Sequence, residues 1–160
     1  MTLPALADRA IVLHARAADW RDAIKLAGDA LVDSGCTTGE YTDAMIRMVD
    51  AHGPYIVIAP GLALAHARPG PEVRCDGLSI VTLAEPVAFG HAHNDPVSVV
   101  IGLAGTAADN HLTAVAELAN AFNDPAVIPA LAAAGTRDEV RRLLGVGSGA
   151  GSGAGSEALA

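Results

Sequence analysis

Apolar positions recur along this chain with two periods, one typical of strands and one typical of helices. Short apolar runs bounded by Gly, Pro or Asp predict strands. Apolar residues spaced three and four apart predict amphipathic helices. The runs that predict strands are 11–15, 54–59, 62–66, 78–83 and 96–104, and 84–90 predicts a turn with a short edge segment. The helical stretches begin after Asp19, Thr37, Asp109 or Asn110, and Thr136, and a further short helix is predicted over 126–133.

Polar residues before the helical stretches predict where the helices begin. Asp19 can accept a hydrogen bond from the first turn that follows it. Thr37 with Glu40, and Thr136 with Glu139, have the spacing of a capping box. The predicted stops are His52-Gly53 and Leu144-Gly145.

Each of the three longer helices presents one apolar face, which we interpret as core packing. The same interpretation covers the Met and Tyr residues of the second helix, because such stripes at helical spacing usually pack. The faces are Trp20, Ala23, Ile24, Ala27, Ala30 and Leu31; Tyr41, Ala44, Met45, Met48 and Val49; and Leu112, Val115, Ala116, Ala119 and Phe122.

The order of elements predicts an α/β fold. Strands that alternate with helices imply a mixed sheet with helices on both faces. With 160 residues, 51% of them hydrophobic, the chain can bury one core, so residues 1–146 are predicted to form one domain. Residues 147–160 are Gly/Ser/Ala repeats, "GSGAGSGAGS" among them, and predict a flexible tail or linker.

The charge and the cysteines exclude several classes of protein. A formal charge of −8 argues against a nucleic-acid surface and against an anionic membrane surface. The apolar runs are too short to cross a bilayer, and the chain does not begin like a secretory signal. Cys36 and Cys75 lack metal-type spacing. They are predicted to be free, buried thiols in a reducing cytoplasm.

The segment 54–69 holds the strongest candidate chemistry. A Pro-Gly turn joins two apolar runs, the second run ends at His66, and Arg68 follows two residues later. Side chains two apart on an extended chain point the same way, so both can face one pocket. An imidazole nitrogen can attack phosphorus while a guanidinium offsets charge on the phosphoryl oxygens. His111, at a predicted helix start, lies where backbone N–H groups favour an anion.

These residues also carry a resemblance. The run "GPYIVIAPGLALAHARPGPEV", the later "VAFGH", a buried strand and "DNHL" at a helix start resemble the enzyme IIA (EIIA) domain of the bacterial sugar phosphotransferase system (PTS). Within that system the chain is most similar to the mannitol/fructose type and to its ascorbate-like branch. The resemblance covers 3–144. It implies a three-layer α/β fold, with a mixed, mostly parallel sheet flanked by helices on both faces.

The resemblance implies a phosphoryl relay in the cytoplasm. His66 would accept phosphate from the phosphocarrier HPr and pass it to an enzyme IIB (EIIB) domain. EIIB would phosphorylate a sugar or ascorbate entering through the membrane component EIIC. No metal or nucleotide cofactor is implied, because the donor is itself a phosphohistidine. The family histidine that matches His111 lies beside the phosphorylated one.

Two positions depart from the family pattern. Ala65 stands where the family usually has a proline before the histidine. Met48 stands where many mannitol-type relatives carry an arginine, so Arg68 is the candidate phosphate-binding residue.

Because one surface must receive two partners, we expect a shallow apolar ring around His66. The candidates for that ring are Leu62, Leu64 and Ala65.

Two alternative functions stay open at this stage. The same fold can serve as a regulatory module whose phosphorylation state signals carbon or nitrogen supply. A zinc-dependent hydrolase is the second alternative, since His91, His93 and Asp95 form an H-x-H-x-D pattern. The residue that would complete that pattern is Pro96, so we expect these side chains to be structural or to face a partner.

Overall fold

The computed structural model describes residues 3–147, except for the side chains of Asn110 and His111, and they form five strands and five α-helices. Two helices follow the first strand, four strands come next, and three helices end the described chain. The strands are β1 (Ile11–Ala15), β2 (Val57–Ala59), β3 (Leu62–Ala65), β4 (Gly77–Val87) and β5 (Val97–Ala104). The helices are α1 (Trp20–Asp33), α2 (Gly39–His52), α3 (Ala108–Ala121), α4 (Val127–Ala133) and α5 (Arg137–Leu144). Apart from Gly147, the predicted tail lies outside the described residues.

The strands form one mixed sheet in the order β1-β4-β5-β3-β2. The pairs β1/β4 and β3/β5 are parallel, and β4/β5 and β2/β3 are antiparallel. The parallel ladder between β3 and β5 ends where Ala65 pairs with Gly102. The chain therefore leaves the sheet directly before His66.

Helices cover both faces of this sheet, which confirms the predicted α/β class and its layers. Ile24 and Leu31 of α1 and Met45 of α2 pack on one face. Leu118 of α3 and Leu131 of α4 pack on the other, together with α5. No helix in 3–147 is long and apolar enough to cross a membrane.

The predicted starts of α1 and α5 are confirmed by their side-chain caps. The carboxylate of Asp19 accepts a hydrogen bond from the Asp22 amide at 3.0 Å. The hydroxyl of Thr136 accepts one from the Glu139 amide at 3.2 Å. Each bond satisfies an amide that the helix itself leaves without a partner.

The predicted caps of α2 and α3 are wrong. The residue that precedes α2 is Thr38, not Thr37, and Ala107 precedes α3, so Asp109 and Asn110 lie inside that helix. Neither helix start has a side-chain cap among the described residues. Thr37 instead forms an isolated antiparallel β-bridge with Val73. The local sequence does not reveal this contact.

Two further local predictions differ from the structure. The segment 84–87 continues β4 instead of turning, because Val87 still pairs with Val97. Among the described side chains of α3, Ala114 and Leu118 are buried, whereas Leu112 is 66% exposed. The helix is rich in Ala, so its hydrophobic pattern fits two faces, and packing on the sheet selects one.

The prediction of free thiols is wrong, because Cys36 and Cys75 form a disulfide bond. Their Cα atoms lie 4.8 Å apart, although the residues are 39 positions apart along the chain. The Arg74 amide donates to the Cys36 carbonyl at 2.7 Å, and Thr37 bridges to Val73. These backbone contacts bring the end of α1 next to the start of β4. Cys75 is exposed, which also contradicts the predicted burial of both cysteines.

The N-terminal segment is held on α5 by Arg141, a nearly buried residue. Its Nε donates to the Leu6 carbonyl at 2.7 Å, and its guanidinium pairs with Asp138 at 3.0 Å and with Asp8. The hydrogen bond from Arg141, and then its charge, lower the pKa of Asp8.

Candidate active site

His66 lies directly after β3, at the end of the predicted hairpin. Gly61 makes the turn between β2 and β3 with a φ of 81°, a conformation that glycine adopts without steric cost. The His66 ring is half-buried, and its Nδ1 lies 2.8 Å from the Leu64 carbonyl oxygen. A carbonyl oxygen only accepts, so Nδ1 is the donor and carries the proton. In the neutral ring, Nε2 then holds the lone pair.

A cavity of about 320 Å³ adjoins His66 and also contains Arg68. Its volume accommodates a phosphoryl group. Both residues predicted from the hairpin sequence therefore line one cavity. The other residues that line it are Met48, Tyr55, Ala67, Pro69, Ala108 and Leu112.

The surface around His66 is apolar, but it is built from residues other than those predicted. Leu62, Leu64 and Ala65 are buried in the sheet, so the predicted exposed ring is wrong, although Leu64 borders a cavity that contains His66. In the described part of the chain, the exposed large hydrophobic residues are Val32, Tyr55, Ile58 and Leu112. Tyr55 and Leu112 line the cavity described above, and Ile58 lines a second one that also contains His66. We call Tyr55, Ile58 and Leu112 the apolar rim.

Tyr55 also fixes one side of the His66 ring. The two ring centroids are 5.7 Å apart and the planes are nearly perpendicular, at 85°. Such an edge-to-face contact is favourable between aromatic rings. Partial burial raises the pKa of the Tyr55 hydroxyl, and the charge of Arg68 opposes this shift. The charge of Arg68 therefore acts on the Tyr55 hydroxyl across the cavity.

Cationic side chains extend to one side of the site. A neighbouring cavity is lined by Arg47, His52 and Glu72, and it shares Met48, Ala67, Arg68 and Pro69 with the cavity at His66. Arg47 lines only the neighbouring cavity of these two. Of these two arginines, Arg68 is therefore the one that also borders the cavity at His66.

Tyr41, interpreted from the sequence as core packing, holds the backbone next to His66. Its hydroxyl accepts from the Ala67 amide at 3.0 Å and donates to the Leu103 carbonyl at 2.6 Å. The Ala67 carbonyl lies 3.2 Å from the same oxygen. Burial raises the pKa of Tyr41 to about 12, so the phenol keeps its proton. The sequence signal was a polar hydroxyl on a buried helix face, which needs a partner.

His111 belongs to the first turn of α3, but its side chain lies outside the described residues. Ala108 and Leu112 of α3 line the cavity at His66, so this end of the helix borders the site.

The H-x-H-x-D pattern builds a loop and not a metal site. The Asp95 carboxylate accepts from the amides of Phe89, Gly90 and His91. Nδ1 of His91 accepts from the amides of His93 and Asn94 at 3.2 and 3.1 Å. The described residues contain no group of three or more His, Cys, Asp or Glu that could hold a metal. The zinc-hydrolase alternative therefore has no structural support.

His14 is also structural. Its backbone amide donates to the Thr82 hydroxyl at 2.8 Å, and its Nε2 lies 3.0 Å from the Ala134 carbonyl oxygen. These bonds join β1 to β4 and to the end of α4.

Comparison with known proteins gives concordant results. The profile of the family "Phosphoenolpyruvate-dependent sugar phosphotransferase system, EIIA 2" matches residues 5–145. The chain is 38% identical to an "Ascorbate-specific PTS system EIIA component" of Shigella boydii, over 86% of this chain and 90% of that protein.

Solved structures of PTS IIA domains also align with this chain. A putative PTS IIA domain from Streptococcus pyogenes aligns with a TM-score of 0.77 and 34% identity, over 85% of this chain and 88% of that one. A chain of the Escherichia coli complex between mannitol enzyme IIA and phosphorylated enzyme IIB aligns with a TM-score of 0.77 and 30% identity. That alignment covers 87% of this chain and 96% of the other.

Proposed function

We propose that His66 carries the phosphoryl group, because the chain belongs to the EIIA 2 family of the phosphoenolpyruvate-dependent sugar phosphotransferase system. The chain is a phosphotransferase component of that system. The observation that supports this role is the 2.8 Å hydrogen bond from Nδ1 to the Leu64 carbonyl. It keeps the proton on Nδ1 and leaves the lone pair on Nε2, the nitrogen that would attack.

The proposed transfer is a displacement at phosphorus. His66 Nε2 forms a P–N bond as the P–N bond of phospho-HPr breaks, and the HPr imidazole leaves with its proton. Arg68 offsets charge on the phosphoryl oxygens. His111 adds a hydrogen bond that orients the group. In the second step an EIIB nucleophile attacks the same phosphorus, and His66 becomes the leaving group.

We propose EIIB and HPr as partners of one surface, the apolar rim around His66. The mannitol enzyme IIA named above was solved in complex with phosphorylated enzyme IIB. Partners that dock in turn on one patch must associate weakly and dissociate fast, and a small apolar contact area allows this. The membrane component EIIC would take part only through EIIB.

We propose an ascorbate system as the setting, since the curated relative at 38% identity is named for ascorbate. Transfer of label to an ascorbate-type EIIB and not to a mannitol-type EIIB would support this assignment. If the chain accepts label but donates it to neither EIIB, the regulatory alternative is favoured instead.

We place the relay in the cytoplasm, where HPr works.

The direct test is phosphorylation with enzyme I, HPr and labelled phosphoenolpyruvate. We expect acid-labile, base-stable label on the wild type and none on His66→Ala. His52→Ala is the matched control, because His52 is exposed and lines only the neighbouring cavity. Label that persists on His66→Ala would move the site elsewhere. For His111→Ala we expect slower transfer with acceptance retained, and unchanged kinetics would remove His111 from the site.

A further inference from the structure

The buried hydroxyl of Tyr41 lies where β3 separates from β5. The last pair of this parallel ladder is Ala65 with Gly102. In a ladder continued by one step, the Ala67 amide would donate directly to the Leu103 carbonyl. The Tyr41 hydroxyl instead stands between them, accepting from Ala67 N at 3.0 Å and donating to Leu103 O at 2.6 Å.

This insertion determines where His66 leaves the sheet. Without the hydroxyl, two buried backbone groups lose their partner, and such groups rarely stay unpaired. The direct remedy is for Ala67 N–H to bond Leu103 O itself. That closure would draw the backbone after His66 toward β5 by about 2 Å, the difference between a bridged and a direct bond.

Closure would also disturb the imidazole. The bond from Nδ1 of His66 to the Leu64 carbonyl is made within two residues of the same backbone, so a shift at Ala67 changes the angle at which the ring leaves the chain. The ring contact with Tyr55 depends on the same angle.

We infer that Tyr41 is a positioning residue for phosphoryl transfer, whose hydroxyl splits β3 from β5 and thereby sets the orientation of His66. The inference rests on the proposed role of His66. Tyr41 is fully buried, so it acts through the backbone and does not touch the phosphoryl group.

The test compares Tyr41→Phe with Ser79→Ala. Ser79 is equally buried, and its hydroxyl donates to the Ala27 carbonyl at 2.8 Å on the α1 side of the sheet. Its removal therefore costs a buried hydrogen bond on β4, which β5 separates from β3. We expect Tyr41→Phe to lower kcat for transfer from phospho-HPr by about 10-fold to about 100-fold, the range for misplaced reacting groups. We expect KM for phospho-HPr to stay within about two-fold, since the docking surface is intact. Ser79→Ala should transfer at the wild-type rate.

A second readout reports on the ring itself. Nitrogen NMR of His66 should show the Nδ1–H tautomer in the wild type and in Ser79→Ala, and a mixture of tautomers in Tyr41→Phe. A merely structural tyrosine would lower the melting temperature without changing this spectrum.

The outcomes separate cleanly. Wild-type kcat and tautomer in a folded Tyr41→Phe, or equal losses of kcat in both variants, would overturn the inference while leaving the role of His66 intact. A wild type that takes no label on His66 would overturn the proposed function and the positioning role together. If Tyr41→Phe does not fold, amide exchange in the wild type decides. A slowly exchanging Ala67 amide supports the bridge, and a rapidly exchanging one refutes it.

Discussion

The apolar rim leads to a prediction whose size follows from the structure. Leu112 is 66% exposed although it adjoins the cavity at His66. Burying a whole Leu side chain contributes about 1.5 to about 3 kcal/mol. Covering the exposed two-thirds against a partner is therefore worth about 1 to about 2 kcal/mol. Leu112→Ala should weaken binding by up to that amount, or about 5-fold to about 30-fold.

The assay is titration of the chain with EIIB, together with KM for phospho-HPr. Leu112 makes little contact within its own chain, so we expect the melting temperature of Leu112→Ala to stay close to that of the wild type. The maximum rate of transfer at saturating phospho-HPr should also be preserved, because the variant leaves His66 and Arg68 in place.

The matched control is Val32→Ala. Val32 is the exposed large hydrophobic residue of α1, with 36% exposure, and it lines neither cavity at His66. The Val32→Ala variant should bind EIIB and phospho-HPr as the wild type does. The docking argument is refuted if Leu112→Ala binds like the wild type, or if Val32→Ala weakens binding as much.

Two further predictions concern stability. Reduction of the Cys36–Cys75 bond opens a loop of 39 residues and should cost about 4 kcal/mol, or roughly 10 °C in melting temperature; an unchanged melting temperature in dithiothreitol, or two titratable thiols in the oxidised protein, would contradict this. For Asp8 the folded pKa lies below the ordinary value of 3.8 because of Arg141, so its contribution to stability is complete above that pH and is lost as the pH falls through the lowered pKa. Asp8→Asn should make the free energy of unfolding depend less on pH in this acid range. An unchanged dependence would show that the Asp8–Arg141 pair contributes nothing.

Local signals were sufficient for most of the elements. The β2–β3 hairpin, the Asp19 and Thr136 caps and the stops of α2 and α5 each depend on a few adjacent residues, whose backbone preferences do not change with tertiary context. His66 and Arg68 share a cavity for the same reason, since alternation along an extended segment puts both side chains on one side.

Predictions that depended on residues distant in sequence failed more often. The disulfide requires the end of α1 to meet the start of β4, and the spacing of the two cysteines does not indicate this. The apolar rim combines Tyr55, Ile58 and Leu112 from three separate segments. The residues that precede His66 are buried instead, because helices cover both faces of β3.

The amino-acid sequence by itself indicated the proposed chemistry, since the imidazole, the guanidinium and the turn that presents them lie within a few residues of one another. Only the tertiary structure decided which surface surrounds that imidazole and what holds it in place. The physical reason is packing. The orientation of α3 on the sheet exposes Leu112, and the depth of α2 carries the Tyr41 hydroxyl between two strands that would otherwise bond to each other.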